Sequence, residues 1–146
     1  MKLKVLTNPK LEEPIVTLEG DPNQASFQKI QAVIQAGLLY VIGQQKGRQF
    51  KIPLLDIFYL ESQDNQTILY TQSDSFFIVQ RLYEIETWGD PFVRINKSTV
   101  INLQKLASFK PLLNSKLEAQ LSNGDRVEVS RLYLPILKKK LGVNNE

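Results

Sequence analysis

The residues whose types and spacing best suit chemistry lie together at 92–102, Phe92-Val93-Arg94-Ile95-Asn96-Lys97-Ser98-Thr99-Val100-Ile101-Asn102. A cationic, hydrogen-bonding cluster, Arg94, Asn96, Lys97, Ser98 and Thr99, is bracketed by apolar pairs that can anchor it in a core. Val93 and Ile95 alternate with Phe92, Arg94 and Asn96, the pattern of a half-buried strand that ends at a polar turn. Ser98 can then cap a short helix or turn. The product is a rigidly mounted loop presenting Asn, Lys and a hydroxyl, groups suited to phosphate oxygens and base edges.

Catalytic chemistry has few candidates. The chain has no cysteine and no histidine. That removes thiolate nucleophiles and metal sites, disulfides, the usual general base and the Ser-His and Cys-His systems. Glu61/Asp64 and Glu84/Glu86 are the acid pairs worth naming, and both read as solvated faces. No glycine-rich phosphate loop or metal-ligand spacing occurs. The expectation is a protein that is not an enzyme and holds no cofactor or metal.

The 146 residues are one domain's worth, 42% hydrophobic and 23% charged, enough for one compact core. No signal peptide opens the chain and no run of roughly 18 apolar residues occurs, so a soluble cytoplasmic protein is expected. Charge is uneven. Residues 1–55 carry seven Lys or Arg against four acids, residues 56–90 one against seven, and residues 91–146 ten against four. A basic final third suits a polyanion. A blander reading makes Lys138-Lys139-Lys140 the end of a helix, where cations complement the dipole.

Periodicity predicts many short strands and about three short helices. Lys2–Leu6 and Ile15–Leu18 read as strands, and Gln24–Ala36 as a helix closed by Gly37. Leu38–Gly43 and Gln49–Pro53 form a hairpin. Ile57–Glu61 is a strand apolar on both faces, and Ser62–Gln66 a polar loop. Thr67–Thr71 pairs with Phe76–Val79, and Arg81–Trp88 is a short helix. Leu106–Phe109 and Lys116–Leu121 are further strands. Tyr59, Tyr70, Phe76, Phe77 and Trp88 read as core. No βαβ alternation appears, so a parallel sheet is not expected.

Asn123-Gly124 is the strongest turn signal. A three-residue loop, Asn123-Gly124-Asp125, would set Leu121 opposite Val127 and Ala119 opposite Val129, keeping apolar residues on one face. The final helix runs to Leu141, with Gly142 closing it. Pro135 forbids a start at Ser130. Either the helix begins near Leu134, or Arg131–Leu134 forms its own turn first.

Three stretches carry a family resemblance. Ile52-Pro53-Leu54-Leu55-Asp56-Ile57-Phe58-Tyr59-Leu60-Glu61-Ser62 resembles the opening of the LytTR-type DNA-binding domain. Phe92–Leu103 resembles its middle, and Leu121-Ser122-Asn123-Gly124-Asp125-Arg126-Val127-Glu128-Val129-Ser130-Arg131-Leu132-Tyr133 its end. The resemblance covers about residues 38–142. It implies a mainly β fold, an antiparallel β-sandwich-like domain at 38–146, preceded by a small β-β-α extension at 1–37. Family members of similar size carry such an extension in place of a phosphoacceptor receiver domain.

The resemblance also implies a regulator of transcription that binds double-stranded DNA at promoter direct repeats. Loops, rather than a recognition helix, would enter successive major grooves. Carried over residue by residue, Asn65 or Gln66 stands at the first contact. Lys97, flanked by Asn96 and Ser98, stands at the second, and Arg131 or Leu132 at the third. Gln66, Asn96, Lys97 and Leu132 each depart from the residue frequent there, so no operator sequence carries over. Gln66 or Asn65 suits adenine N6 and N7, and Lys97 phosphate rather than guanine. Arg131 suits a base edge or phosphate. Arg94 either binds phosphate or, the reading preferred here, pairs internally with Glu61 or Asp90. Asn102 reads as buried and bonded to backbone. Ser98 and Ser130 read as caps whose N–H groups could still receive a phosphate. The extension 1–37 is expected to support a homodimer or control by a partner, and the resemblance suggests a membrane-protein regulator as a further partner. The competing reading is a non-enzymatic protein-interaction module whose basic face is incidental.

Overall fold

The computed structural model describes residues 2–143, with the side chains of all of these except 36–38. The chain runs through α1 (Ala25–Leu38), β1 (Tyr40–Gln45), β2 (Arg48–Pro53), β3 (Tyr59–Gln63), β4 (Gln66–Tyr70) and β5 (Ser75–Ile78). It continues through α2 (Leu82–Ile85), β6 (Phe92–Asn96), β7 (Thr99–Asn102), β8 (Leu106–Pro111), β9 (Leu117–Leu121), β10 (Arg126–Val129) and α3 (Leu134–Leu141). Every strand pairing is antiparallel. Seven strands form one sheet in the order β2-β1-β5-β4-β3-β7-β6, and three form a second in the order β10-β9-β8. The mainly β, antiparallel architecture read from the sequence is the one observed. Among the described residues no helix is long and apolar enough to cross a membrane.

Alternation along the strands splits the core in two. Val41, Ile52, Leu60, Leu69, Phe76, Ile78, Phe92 and Val100 project from one face of the large sheet onto Leu54, Ile57, Leu82 and Ile85. Tyr59, Val93, Ile95 and Ile101 project from the other face onto Leu117, Ala119, Leu121 and Val129 of the small sheet and Leu137 of α3. The small sheet therefore covers the β3-β7-β6 side of that face. Further along, Ile42 and Phe77 stay 43% and 48% exposed, so Phe77 is not core as expected.

Gly43 lies in β1 between β2 and β5, against Ile52 and Phe76. A Cβ there would sit 2.6 Å from Ile52 Cδ1 and 2.8 Å from Phe76 Cβ. Gly43→Ala is expected to cost about 1.5 kcal/mol by overpacking, read as a lower urea midpoint at unchanged slope.

Several sequence expectations need correction. Neither Lys2–Leu6 nor Ile15–Leu18 forms a strand; residues 2–18 make no ladder hydrogen bonds, and Leu3, Val5 and Ile15 are 92%, 75% and 73% exposed. Alternation without a packing partner does not hold a two-stranded ribbon. Of the expected extension only α1 is regular, and it continues through position 37 to Leu38. The linkers expected at 44–48 and 62–66 contract to two-residue turns, Lys46-Gly47 and Asp64-Asn65, all four residues with positive φ. Such turns match strand twist, and Gly, Asn and Asp tolerate that backbone region.

The hairpin loop is not Asn123-Gly124-Asp125 but Ser122-Asn123-Gly124, since Asp125 pairs back to Leu121, and the pairing is displaced by two residues from the expected one. Val127 faces Ala119 and Val129 faces Leu117. Asp125 C=O accepts from Leu121 N–H at 2.8 Å. An even displacement keeps every side chain on its face, so the hydrophobic pattern alone could not separate the two registers. The last helix begins at Leu134 after a separate turn at 131–133, and Gly142 ends it at φ 72°. Lys138, Lys139 and Lys140 fill its last turn, where they complement the dipole.

Candidate nucleic-acid interface

Strand pairing decides which turns meet. β3 and β7 run antiparallel with Glu61 opposite Thr99. The end of β3 and the start of β7 therefore lie at one end of the large sheet. Ser62 N–H donates to Ser98 C=O at 2.8 Å across that end. The β3–β4 turn, bearing Asn65 and then Gln66, thus opens beside the β6–β7 turn at Lys97-Ser98. The β10–α3 junction arrives there too, because Ser130 N–H donates to Ile95 C=O at 2.9 Å. The three segments singled out in the sequence share one end of the sandwich.

Within the β6–β7 turn most polar groups are spent on the turn itself. The Arg94 guanidinium donates through Nε to Asn96 C=O at 3.0 Å and through Nη2 to Lys97 C=O, and pairs with Glu86 at 3.3 Å. The internal pairing preferred for Arg94 is present, but its partner is Glu86, not Glu61 or Asp90. Asn96 Oδ1 accepts from Ser98 N–H at 2.9 Å and Ser98 Oγ at 3.1 Å. Asn96 Nδ2 donates to Glu128 C=O at 2.9 Å and ties the turn to β10. The N–H groups of Ser98 and Ser130 are consequently engaged within the protein, not held out for an anion. Lys97 keeps an exposed side chain and forms no ion pair among the described residues.

At the other two segments the side chains point less inward. Gln66 is exposed at the first position of β4. Asn65, at φ 62°, offers its carbonyl to Arg81 Nη1. Arg131 and Leu132 are exposed in the turn before α3, held by Tyr133 N–H and Leu134 N–H donating to Ser130 C=O. Arg81 escaped the sequence reading as a site residue. The β4–β5 pairing, with Thr67 opposite Ile78, brings it to this end, so the signal lay in strand order rather than in local spacing.

Asn102 is 1% exposed, as expected of a structural residue. Its Nδ2 donates to Ile57 C=O at 2.9 Å and its Oδ1 accepts from Gln104 N–H at 3.0 Å. Tyr59 donates to Asp125 Oδ2 at 3.0 Å and stacks on Tyr70, fastening the small sheet's loop to the large sheet. Burial first, then the Asp125 hydrogen bond, pushes the Tyr59 phenol well above its usual range, so it remains a donor at neutral pH.

Charge at this end is sparser than the sequence count suggests. Lys110 and Arg126 both pair with Glu118, and Lys116 pairs with Glu128. Three of the ten cations of the final third are thus paired with its own acids among the described residues, while Lys97 and Arg131 form no ion pair there and Arg81 adds a cation beside Asn65.

Residues 47–142 match the LytTr DNA-binding domain family. The sensory transduction protein LytT of Enterococcus faecalis is 26% identical over 103 residues, 69% of this chain and 43% of that protein. The transcriptional regulatory protein YpdB of Escherichia coli is 30% identical over 82 residues, 54% of this chain and 34% of that protein. The chain therefore spans about two fifths of the length of such relatives. A solved LytTr DNA-binding domain from Bacillus cereus superposes with a TM-score of 0.67 at 26% identity, over 70% of this chain and 96% of that one. On sequence and fold alike, the chain belongs to the LytTr DNA-binding domain family.

Proposed function

We propose that the chain is a sequence-specific regulator of transcription that grips double-stranded DNA with the turn end of its large sheet. One observation carries the reading: in a member of a DNA-binding family, turns bearing Gln66, Lys97 and Arg131 open together on a rigid scaffold. Gln66 or Asn65 reads an adenine edge, Lys97 meets phosphate, and Arg131 meets a base edge or phosphate. Arg94, Asn96 and Ser98 act as positioning residues that set the Lys97 turn.

Selection of bound duplexes from a random pool supplies the target. Lys97→Ala is then expected to weaken every duplex alike by about 1 kcal/mol and to lower the salt slope by about one. An unchanged slope removes Lys97 as a phosphate ligand. No duplex bound at any salt concentration would leave the protein-interaction module as the function.

A further inference from the structure

We propose that residues 11–19 of one copy seat in a groove of a second copy, joining two chains by exchanged arms. The groove encloses about 780 Å³ between α1 and α3. Val33, Pro91, Ile136 and Leu141 line it with apolar surface, and Lys29, Lys139 and the acid Asp90 line it as well. Lys140 lines it too, its ammonium 3.5 Å from Asp90 C=O.

The arm complements this groove. Residues 11–21 carry Glu12, Glu13, Glu19 and Asp21 and no cation. Most of their apolar side chains are uncovered within one chain: Leu11 is 47%, Ile15 73% and Val16 67% exposed, whereas Leu18 is half-buried. Glu12, Glu13 and Glu19 thus flank a mostly exposed apolar stretch in which Leu18 alone is half-buried, while an apolar groove lined by three lysines and one acid stands open. Opposite charge selects the partner and apolar contact holds it.

The launch of the arm favours exchange over folding back. Gly20 lies against the Phe27 ring, where an added Cβ would be 3.2 Å from Cδ2. Asp21 C=O accepts from Gln24 N–H at 3.1 Å, and Asp21 Oδ1 accepts from Asn23 N–H at 2.9 Å, fixing the turn into α1. At 3.6 residues per turn, Lys29 and Val33 project roughly 160° and 120° around α1 from Phe27. The arm therefore leaves its helix on the side away from its own groove. Two copies exchanging arms make a closed two-fold pair.

Sedimentation of the full chain over a wide concentration range tests this, without DNA. The expected species is a dimer. Lys139→Glu with Lys140→Glu, and separately Glu12→Lys with Glu13→Lys, should each raise its dissociation constant about tenfold or more. Combining all four should restore it, which also shows that the variants fold. Because the chain has no cysteine, Ile15→Cys and Ile136→Cys can be placed on separate, differently tagged chains. Oxidising the mixture should give a mixed covalent dimer. A monomer at every concentration, a dimer indifferent to both charge reversals, or a disulfide formed only within chains carrying both cysteines would each overturn the proposal.

Discussion

Asn102→Ala is expected to lower folding stability by about 3 kcal/mol, from a lost buried hydrogen-bond pair plus the void left behind. The side chain is 1% exposed and bridges Ile57 C=O to Gln104 N–H. Ile57 is itself fully buried, so its carbonyl finds no water when the amide is removed. Asn102→Leu separates the two contributions. It restores the volume but leaves the carbonyl orphaned, so it should recover little. Urea unfolding of both variants at equal slope is the measurement. Stabilities within 1 kcal/mol of the parent chain would mean the Asn102 bridge is incidental. The position matters for the interface because Asn102 fastens β7 at the end opposite Lys97.

Arg94→Ala is expected to lower duplex affinity about thirtyfold, through lost preorganisation of the Lys97 turn. Folding stability should fall by only about 1 kcal/mol, because the carbonyls released there reach water. The Glu86 pair adds little to that figure, its carboxylate being 38% exposed. Arg94→Ala and Lys97→Ala each delete one cation, yet only the first frees the carbonyls of Asn96 and Lys97. Arg94→Lys keeps the charge without the planar fork and should not rescue. Full binding by Arg94→Lys would show that charge alone is needed there, making Arg94 a phosphate ligand.

What the sequence disclosed depended on how local the determining physics was. Pro135 and Gly142 bound the last helix by backbone geometry, and both ends fall where those residues dictate. Asn102, a lone amide among Val100, Ile101 and Leu103, had to find backbone partners, and it does. The three turn segments were visible because each is polar and flanked by apolar alternation. Their gathering at one end follows from strand order, which no single segment encodes. Glu86 shows the opposite case. It read as solvated because its partner, Arg94, meets it only after the 86–88 turn folds against β6. The β9–β10 register slipped by two because Val127 and Val129 satisfy either pairing. Residues 2–18 alternate like strands, but a strand is a property of a pair, and nothing in the single chain completes it.

Two hydrogen bonds described above, Asn96 Nδ2 to Glu128 C=O and Ser130 N–H to Ile95 C=O, cross from the large sheet to the segment entering α3. They stitch β6 to β10 at the very edge where the turns open. The consequence is kinetic. An arriving double helix meets a finished shape and need order little of the protein on contact. Arrival rates should then vary little from one operator to another, and discrimination should appear as residence time.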